Sequence, residues 1–214
     1  PNLSQAFIAA VKNKLGLGFV PDGRGNLGSS LPAGGEGGGR GQGTFGPEDV
    51  FHYAYAVFHS PTYRQRYAEF LKIDFPRLPL TSDVDLFRSL CALGEELVAL
   101  HLLESPAVND FITSYPIAGD NRVISAHPKY TPPADDQPGR VYINKKQYFE
   151  GVLPEVWEFQ IGGYQVLHKW LKDRKKRTLS YDELEHYQKI VVALQKTMDL
   201  METIDETIPE FPIS

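Results

Sequence analysis

Positively charged side chains are concentrated in one short segment of a chain that is acidic overall. Between residues 169 and 177 the sequence has one acid, Asp173, and six bases: Lys169, Lys172, Arg174, Lys175, Lys176 and Arg177. The segment therefore carries a charge of +5, whereas the whole chain of 214 residues carries −5. Basic clusters of this density are typical of surfaces that bind phosphate groups.

Residues outside the basic segment add to this predicted surface. A diglycine before the segment lacks Cβ atoms and so allows a ligand to approach the backbone closely. The helix that follows it begins with free N–H groups, which suit an anion. A second basic pair lies in a predicted turn between strands. We therefore predict a surface that follows a nucleic-acid backbone and has polar side chains to read base edges. Outside the basic segment, its residues are Lys145, Lys146, Gly162, Gly163, Tyr164 and Gln165.

The basic segment also has a structural interpretation. Lysine and arginine at the C-terminal end of a helix interact favourably with the helix dipole and with the last carbonyl groups. The sequence alone leaves both interpretations open for each of these bases.

Helices are predicted on both sides of the chain's centre. Pro47 suits the first helical position, and Ser60 is the predicted N-cap of a second helix. Ser82 is the predicted N-cap of the next one, and Ser180 with Glu183 matches a capping box before a long C-terminal helix. Residues 1–15 are predicted to form a further short helix.

Short strands are predicted between these helices. The segments "RVIS", "RVYIN" and "VWEFQI" are rich in β-branched and aromatic residues and are separated by turn signals. The predicted fold class is α+β, with a helical N-terminal part, a small and mostly antiparallel sheet, and C-terminal helices that include one long helix.

A glycine-rich stretch divides the chain into a predicted linker, residues 1–46, and a predicted domain, residues 47–214. Residues 16–46 contain 13 of the 19 glycines, so we expect a flexible insertion there. Gly23–Gly28 has the spacing of a dinucleotide-binding loop, but Pro21 precedes it and more glycines follow it. A linker is therefore the favoured interpretation.

Composition excludes several classes of function. The single cysteine, Cys91, permits no internal disulfide, occupies an apolar helical pattern and fits a cytoplasmic setting. No apolar stretch is long enough for a membrane helix. The six histidines lack the spacing of a zinc site, and no nucleophile or Walker motif is present. We therefore predict no catalytic residue, no metal site and no cofactor in this chain.

Three segments resemble the C-terminal specificity region of type ISP restriction–modification enzymes and of related N6-adenine DNA methyltransferases. They are "VFHYAYAVFHSPTYRQRYAEFLKIDFPRLPL", "LFRSLCALGEELVALHLLES" and "VWEFQIGGYQVLHKWLKDRKKRTLSYDELEHYQKIVVAL". The resemblance covers residues 47–205 and is most specific over residues 161–180.

This resemblance implies a role in a larger polypeptide. In that family a nuclease, an ATP-driven motor and an adenine methyltransferase are joined to a target-recognition domain. The implied partners are double-stranded DNA and the methyltransferase domain of the same polypeptide, to which residues 1–46 would lead. S-adenosylmethionine, and ATP with magnesium where the parent also cleaves DNA, would bind elsewhere in the parent. Residues 111–150 are the expected location of base reading, and the target adenine would be positioned for the methyltransferase.

A protein-interaction module is the alternative prediction. The long C-terminal helix is acidic and carries a continuous apolar stripe that would pack either in the core of this chain or against a partner. The stripe consists of Leu184, Tyr187, Val191, Leu194, Met198 and Met201.

Overall fold

The structure, a computed structural model, describes residues 2–28, 43–135 and 137–213. Runs of helices are separated from short and mostly antiparallel strands, which confirms the predicted α+β class. The chain forms two compact units: unit 1 comprises residues 1–99 and 199–214, and unit 2 comprises residues 100–198. The glycine-rich part of the predicted linker, residues 29–42, lies outside the described residues.

Unit 1 is mainly helical, with a core of apolar side chains that includes Phe45, Tyr53, Leu90 and Ile204. Two short strands, β1 and β2, pair in parallel. The elements that begin in this unit are α1 (Gln5–Leu15), β1 (Gly18–Phe19), β2 (Thr44–Phe45), α2 (Pro47–His59), α3 (Pro61–Arg66), α4 (Ala68–Leu71) and α5 (Val84–His101).

Three of the four predicted helix starts are confirmed. Pro47 opens α2, and Ser60 Oγ accepts a hydrogen bond from the N–H of Tyr63 at 3.0 Å at the start of α3. Ser82 is not the N-cap of α5, so that prediction was wrong by one residue. The carboxylate of Asp83 caps this helix by accepting hydrogen bonds from two backbone N–H groups, at 2.8 and 3.1 Å. A carboxylate at this position also interacts favourably with the helix dipole.

The described parts of residues 16–46 pack against unit 1 around a buried carboxylate. Asp49, which is 4% exposed, accepts hydrogen bonds from the backbone N–H groups of Gly25 and Gly46, both at 2.7 Å. A Cβ atom on Gly25 would lie 2.2 Å from a backbone oxygen of β2, so only glycine fits there. In a dinucleotide-binding loop, backbone N–H groups of this kind donate to a phosphate. Here they donate to the carboxylate of Asp49 instead. The boundary at residue 46 and the linking role of residues 1–46 stay predictions.

Unit 2 is built on a three-stranded antiparallel sheet in the order β3–β4–β5. A two-stranded hairpin, β6–β7, and three helices complete it, and its core includes Val141, Phe149, Leu167 and Tyr187. The elements are a 3-10 helix (Pro106–Asn109), β3 (Lys129–Thr131), β4 (Arg140–Tyr142), β5 (Tyr148–Glu150), α6 (Pro154–Glu158), β6 (Gln160–Ile161), β7 (Tyr164–Gln165), α7 (Val166–Lys172) and α8 (Tyr181–Thr207).

Only one of the three predicted strands forms as expected. The segment "RVYIN" contains β4, whereas "RVIS" makes a single bridge between Arg122 and Thr178. The first three residues of "VWEFQI" belong to helix α6, and only its last two residues form β6. Pro154 explains this difference, because its fixed φ favours the first turn of a helix and overrides the β propensity of the residues that follow.

Helix α8 has the predicted start and a buried apolar stripe. Ser180 Oγ accepts from the N–H of Glu183 at 3.2 Å, and the Glu183 carboxylate accepts from the N–H of Ser180 at 3.1 Å, which confirms the capping box. Leu184, Tyr187 and Val191 are buried in the core of unit 2. The stripe therefore serves mainly the core of this chain, and a docking surface must be sought elsewhere.

Candidate nucleic-acid interface

The diglycine forms the tip of the β6–β7 hairpin. Gly162 and Gly163 have φ values of +57° and +80°, as a two-residue type I′ turn requires. A Cβ atom on either glycine would meet no other atom within 4 Å, so the tip faces open space. Backbone geometry therefore explains both glycines, and close approach of a ligand to them stays a prediction.

A groove of about 340 Å³ lies beside this hairpin. Tyr164 and Gln165 belong to strand β7 and precede the helix α7, which begins at Val166. The groove is lined by Gln160, Gly163, Tyr164, Gln165, His168, Lys169, Lys172 and Asp173. The fold thus brings the hairpin together with the first two lysines of the basic segment.

Lys169 is partly neutralised within the chain. Its Nζ lies 2.7 Å from a carboxylate oxygen of Asp173 and 5.6 Å from the centre of the Tyr164 ring. The hydrogen bond from Lys169 holds the pKa of Asp173 below its ordinary value. Because both charges of this pair are half exposed, the pair is weak and a phosphate can compete for the lysine.

Arg174 has a mainly structural role. Its guanidinium lies 3.5 Å from the centre of the Trp170 ring, donates to the backbone oxygen of Trp170 and pairs with Glu183 at 3.2 Å. The more exposed Arg177 pairs with the same carboxylate at 3.0 Å. The backbone N–H of Ser180 and these guanidinium groups hold the pKa of Glu183 below its ordinary value. The structural interpretation therefore applies to Arg174 and partly to Arg177.

Residues 121–124 hold the end of the basic segment in place. The N–H of Lys176 donates to the backbone oxygen of Val123 at 2.7 Å, and the N–H of Val123 donates to the oxygen of Arg177 at 2.9 Å. Lys176 adopts a left-handed conformation with φ of +67°, which turns the chain at this point. Lys172 and Lys176 have exposed side chains, and Lys175 is half-buried.

Residues 121–124 also bond to the turn that carries the second predicted basic pair, Lys145 and Lys146. The N–H of Ile124 donates to the oxygen of Ile143 at 3.0 Å, and the side-chain amide of Asn144 donates to the oxygen of Arg122 at 3.1 Å. Lys145 and Lys146 follow at the exposed turn between β4 and β5. Residues 121–124 therefore link the two basic stretches, which 22 residues separate in the sequence, into one surface of unit 2.

Sequence reasoning missed three members of this surface. Arg122 and Lys129 are exposed, and His127 is buried beside them. Burial, and then the charges of Lys129 and Lys175, lower the pKa of His127. These residues precede both recognised basic stretches in the sequence, and no dense charge pattern marks them there.

The other predicted features were examined in the described part of the chain. Cys91 is buried, as predicted, and burial raises the pKa of its thiol. Within residues 2–28, 43–135 and 137–213, no cluster of three or more His, Cys, Asp or Glu side chains is arranged to hold a metal ion.

None of the described helices is both long and apolar enough to cross a bilayer.

The chain thus has an α+β fold in which residues 121–124 bond both to the end of the basic segment and to the turn that carries Lys145 and Lys146. The chain belongs to the family described as the type ISP C-terminal specificity domain, whose sequence model matches residues 1–203. This match confirms the resemblance that the three sequence segments carry. No curated protein matches the chain by sequence.

Solved structures share the fold of this chain at low sequence identity. A nuclease-deletion mutant of the type ISP restriction–modification enzyme LlaGI, in complex with a DNA substrate mimic, has a TM-score of 0.56 and 23% identity over 82% of this chain. The ATP-dependent type ISP enzyme LlaBIII, bound to DNA, has a TM-score of 0.55 and 21% identity over 78%. A DrdV–DNA complex has a TM-score of 0.54 and 24% identity over 73%. The chain spans 17%, 11% and 18% of the lengths of these three proteins.

Proposed function

We propose that this chain recognises a duplex DNA sequence as the specificity domain of a larger type ISP restriction–modification enzyme. Membership of a specificity-domain family is the observation that carries the proposal. The basic surface of unit 2 supports it, because neutralising phosphate charges supplies much of the affinity of a protein for DNA. LlaGI and LlaBIII, which share the fold, have been solved with a DNA mimic and with DNA.

The lysines and arginines of this surface divide into two groups. Lys172, Lys175 and Lys176 bind backbone phosphates, and Lys145 and Lys146 extend the contact with DNA, since no carboxylate lies within ion-pair distance of these five ammonium groups among the described residues. Arg174 and Arg177 hold the end of the basic segment on helix α8 through Glu183. Lys169 exchanges Asp173 for a phosphate when DNA binds. Gly162 and Gly163 let the hairpin tip approach the DNA backbone closely.

The domain positions a target adenine for catalysis elsewhere in the polypeptide. A methyltransferase domain of the same polypeptide would receive the base, flipped from the stack, and use S-adenosylmethionine. ATP with magnesium would serve a motor domain if the parent also cleaves DNA. These roles extend the proposal from the family resemblance, as does a cytoplasmic location.

The salt dependence of duplex binding tests the proposal. The test variant removes three charges from the basic surface (Lys172→Gln, Lys175→Gln and Lys176→Gln). A matched control removes three lysine charges from unit 1 (Lys12→Gln, Lys14→Gln and Lys72→Gln). Each phosphate contact contributes roughly 0.9 to the slope of log K against log salt, so the test variant should lose about 2.7 from the slope. A flat slope for the wild type, or an equal loss in the control, would contradict the proposal.

An exposed apolar loop in unit 1 favours a second role for the chain, in self-association. Ile73 and Phe75 are 84% and 87% exposed, which is unusual for two large apolar side chains so close together. Replacing both by serine should leave DNA binding unchanged and abolish any concentration-dependent increase in mass during sedimentation. If the wild type sediments as a monomer at every concentration, self-association through this loop is excluded.

A further inference from the structure

A second groove in unit 2 separates two loops that are far apart in sequence. One loop comprises residues 117–121, and the other is the β4–β5 turn, residues 143–147. The groove has a volume of about 530 Å³. Its lining consists of Ala118, Gly119, Asp120, Ile124, Asn144, Lys145, Lys146 and Gln147.

A buried glutamine ties the two loops together. Gln147 is 1% exposed, and its Oε1 accepts from the N–H of Asn121 and from Nδ2 of Asn144, both at 2.9 Å. Its Nε2 donates to Oδ1 of Asn121 at 2.7 Å and to the oxygen of Ile117 at 3.1 Å. A Cβ atom on Gly119 would lie 2.6 Å from this side-chain amide, so the loop closes tightly over it. Both loops are therefore held in a fixed arrangement before any ligand binds.

The groove contains an acid among bases. Asp120 is exposed on a surface whose neighbouring charges are Arg122, Lys145 and Lys146. Its Oδ1 accepts from the N–H of Arg122 at 3.1 Å, which fixes the direction of the carboxylate. A carboxylate repels phosphates, so phosphate binding does not account for its position at the groove. A carboxylate does accept hydrogen bonds from the amino groups of bases.

An acceptor beside donors is a combination that can read the exocyclic amino group of a base. In the major groove a G·C pair presents the N4 amino donor of cytosine next to the O6 and N7 acceptors of guanine, and an A·T pair presents the N6 amino donor of adenine between its N7 acceptor and the O4 acceptor of thymine. The groove presents one acceptor, Asp120, beside two ammonium donors. Resting on the proposed function, we propose that this groove reads the amino group of one base pair: Asp120 accepts from cytosine N4 or adenine N6, and Lys145 or Lys146 donates to the neighbouring acceptors of the same pair. Gln147 is a positioning residue that holds the two loops at the required separation.

Selection of binding sites from a random duplex library tests this assignment. Asp120→Asn replaces one acceptor oxygen by an amide donor and removes the charge. Asp110→Asn is the control, because Asp110 is an exposed acid of unit 2 that does not line the groove. The wild type should select a site that contains at least one required base pair, and the base that it requires shows whether the amino group is cytosine N4 or adenine N6. Asp120→Asn should lose at least about fivefold of the discrimination at that pair alone, with the salt slope unchanged or steeper.

A second variant separates positioning from a loss of folding. Gln147→Met keeps the length of the side chain and removes its hydrogen bonds. Measured on protein with a wild-type circular dichroism spectrum, it should reduce discrimination at the same pair while the salt slope of non-specific binding is retained. If the wild type selects a site and Asp120→Asn leaves every position unchanged, the inference is overturned and the proposed function stands. If the wild type binds no duplex in a salt-dependent way, both are overturned.

Discussion

Two regions rich in charged side chains, the start of α2 and the surroundings of α7, differ in how many of those charges bond to other groups of the chain. In unit 1, Asp49 accepts from the backbone of Gly25 and Gly46, and Arg24 pairs with Glu95 at 2.6 Å and with Glu48 at 3.4 Å. Among the described residues of unit 2, only Lys169, Arg174 and Arg177 of the basic segment have a carboxylate partner. A glycine-rich loop or a charged cluster indicates a ligand only when the chain does not itself satisfy the groups concerned.

The overall charges of the two units show the same contrast. Unit 1 has 9 Lys and Arg residues against 15 Asp and Glu, whereas unit 2 has 13 against 12. The acidic unit is thus poorly suited to a polyanion, and the unit with the basic surface is nearly neutral overall. Binding of DNA by unit 2 therefore depends on where its lysines lie, because its net charge offers little attraction.

The largest expected effect on stability comes from removing the buried, hydrogen-bonded carboxylate of Asp49 in unit 1. Asp49→Ala leaves the N–H groups of Gly25 and Gly46 without their charged acceptor in a buried place, and each such bond contributes roughly 1.5–3 kcal/mol. We expect the free energy of unfolding to fall by about 3 kcal/mol in urea denaturation. DNA affinity of the folded fraction should not change. A loss below about 1 kcal/mol would show that water replaces the carboxylate at this site.

An intermediate effect is expected from the arginine that packs on Trp170. Arg174→Ala removes a cation–π contact, a hydrogen bond to the backbone and an ion pair with Glu183, so we expect a loss of about 1–2 kcal/mol. Lys172→Ala should change stability by no more than about 0.5 kcal/mol, since surface substitutions away from such contacts have small effects. Chemical denaturation of the two variants measures the difference. Equal losses would remove the distinction between structural and DNA-binding bases.

The smallest effect is a change in histidine titration. Burial and then Lys172 and Lys175 lower the pKa of His168, whereas burial and then Arg24 lower that of His52. Phosphates that neutralise the lysines should raise the pKa of His168 and leave His52 unchanged. NMR titration of the imidazole signals, with and without duplex DNA, measures both. A shift at His52 alone would place the DNA on unit 1.

The same histidines give a pH dependence of stability. A folded-state pKa below the unfolded value of about 6.5 means that the unfolded chain binds more protons as the pH falls. The free energy of unfolding should therefore decrease as the pH is lowered from 7 past the unfolded pKa of about 6.5 towards the lower folded-state pKa. Urea denaturation at several pH values, with His168→Gln for comparison, checks the sign.

Local signals in the sequence predicted the parts of the fold that depend on neighbouring residues. Ser60 and the Ser180–Glu183 pair cap helices as expected, because each bonds to a group three residues away. Contacts between distant residues were not predictable in this way. Gly25 and Asp49 are 24 residues apart, and Gln147 bonds to Asn121 across 26.

The candidate site was predicted in part for the same reason. Charge density identified the basic segment and the Lys145–Lys146 pair, but it did not show that Arg174 packs on Trp170. Nor did it identify Asp120, a single acid whose meaning depends on the lysines that the fold places beside it. A charge pattern locates a surface, and the counter-charges that decide its use come from other parts of the chain.

Amide hydrogen exchange of the chain with and without duplex DNA tests the central claim most directly. If DNA binds the basic surface of unit 2, it should slow exchange over four segments of that unit: residues 117–124, 143–147, 162–165 and 172–177. Exchange over residues 23–28 and 46–49 should not change. Protection confined to unit 1, or no protection at a DNA concentration that saturates binding, would contradict the assignment of the interface to the basic surface of unit 2.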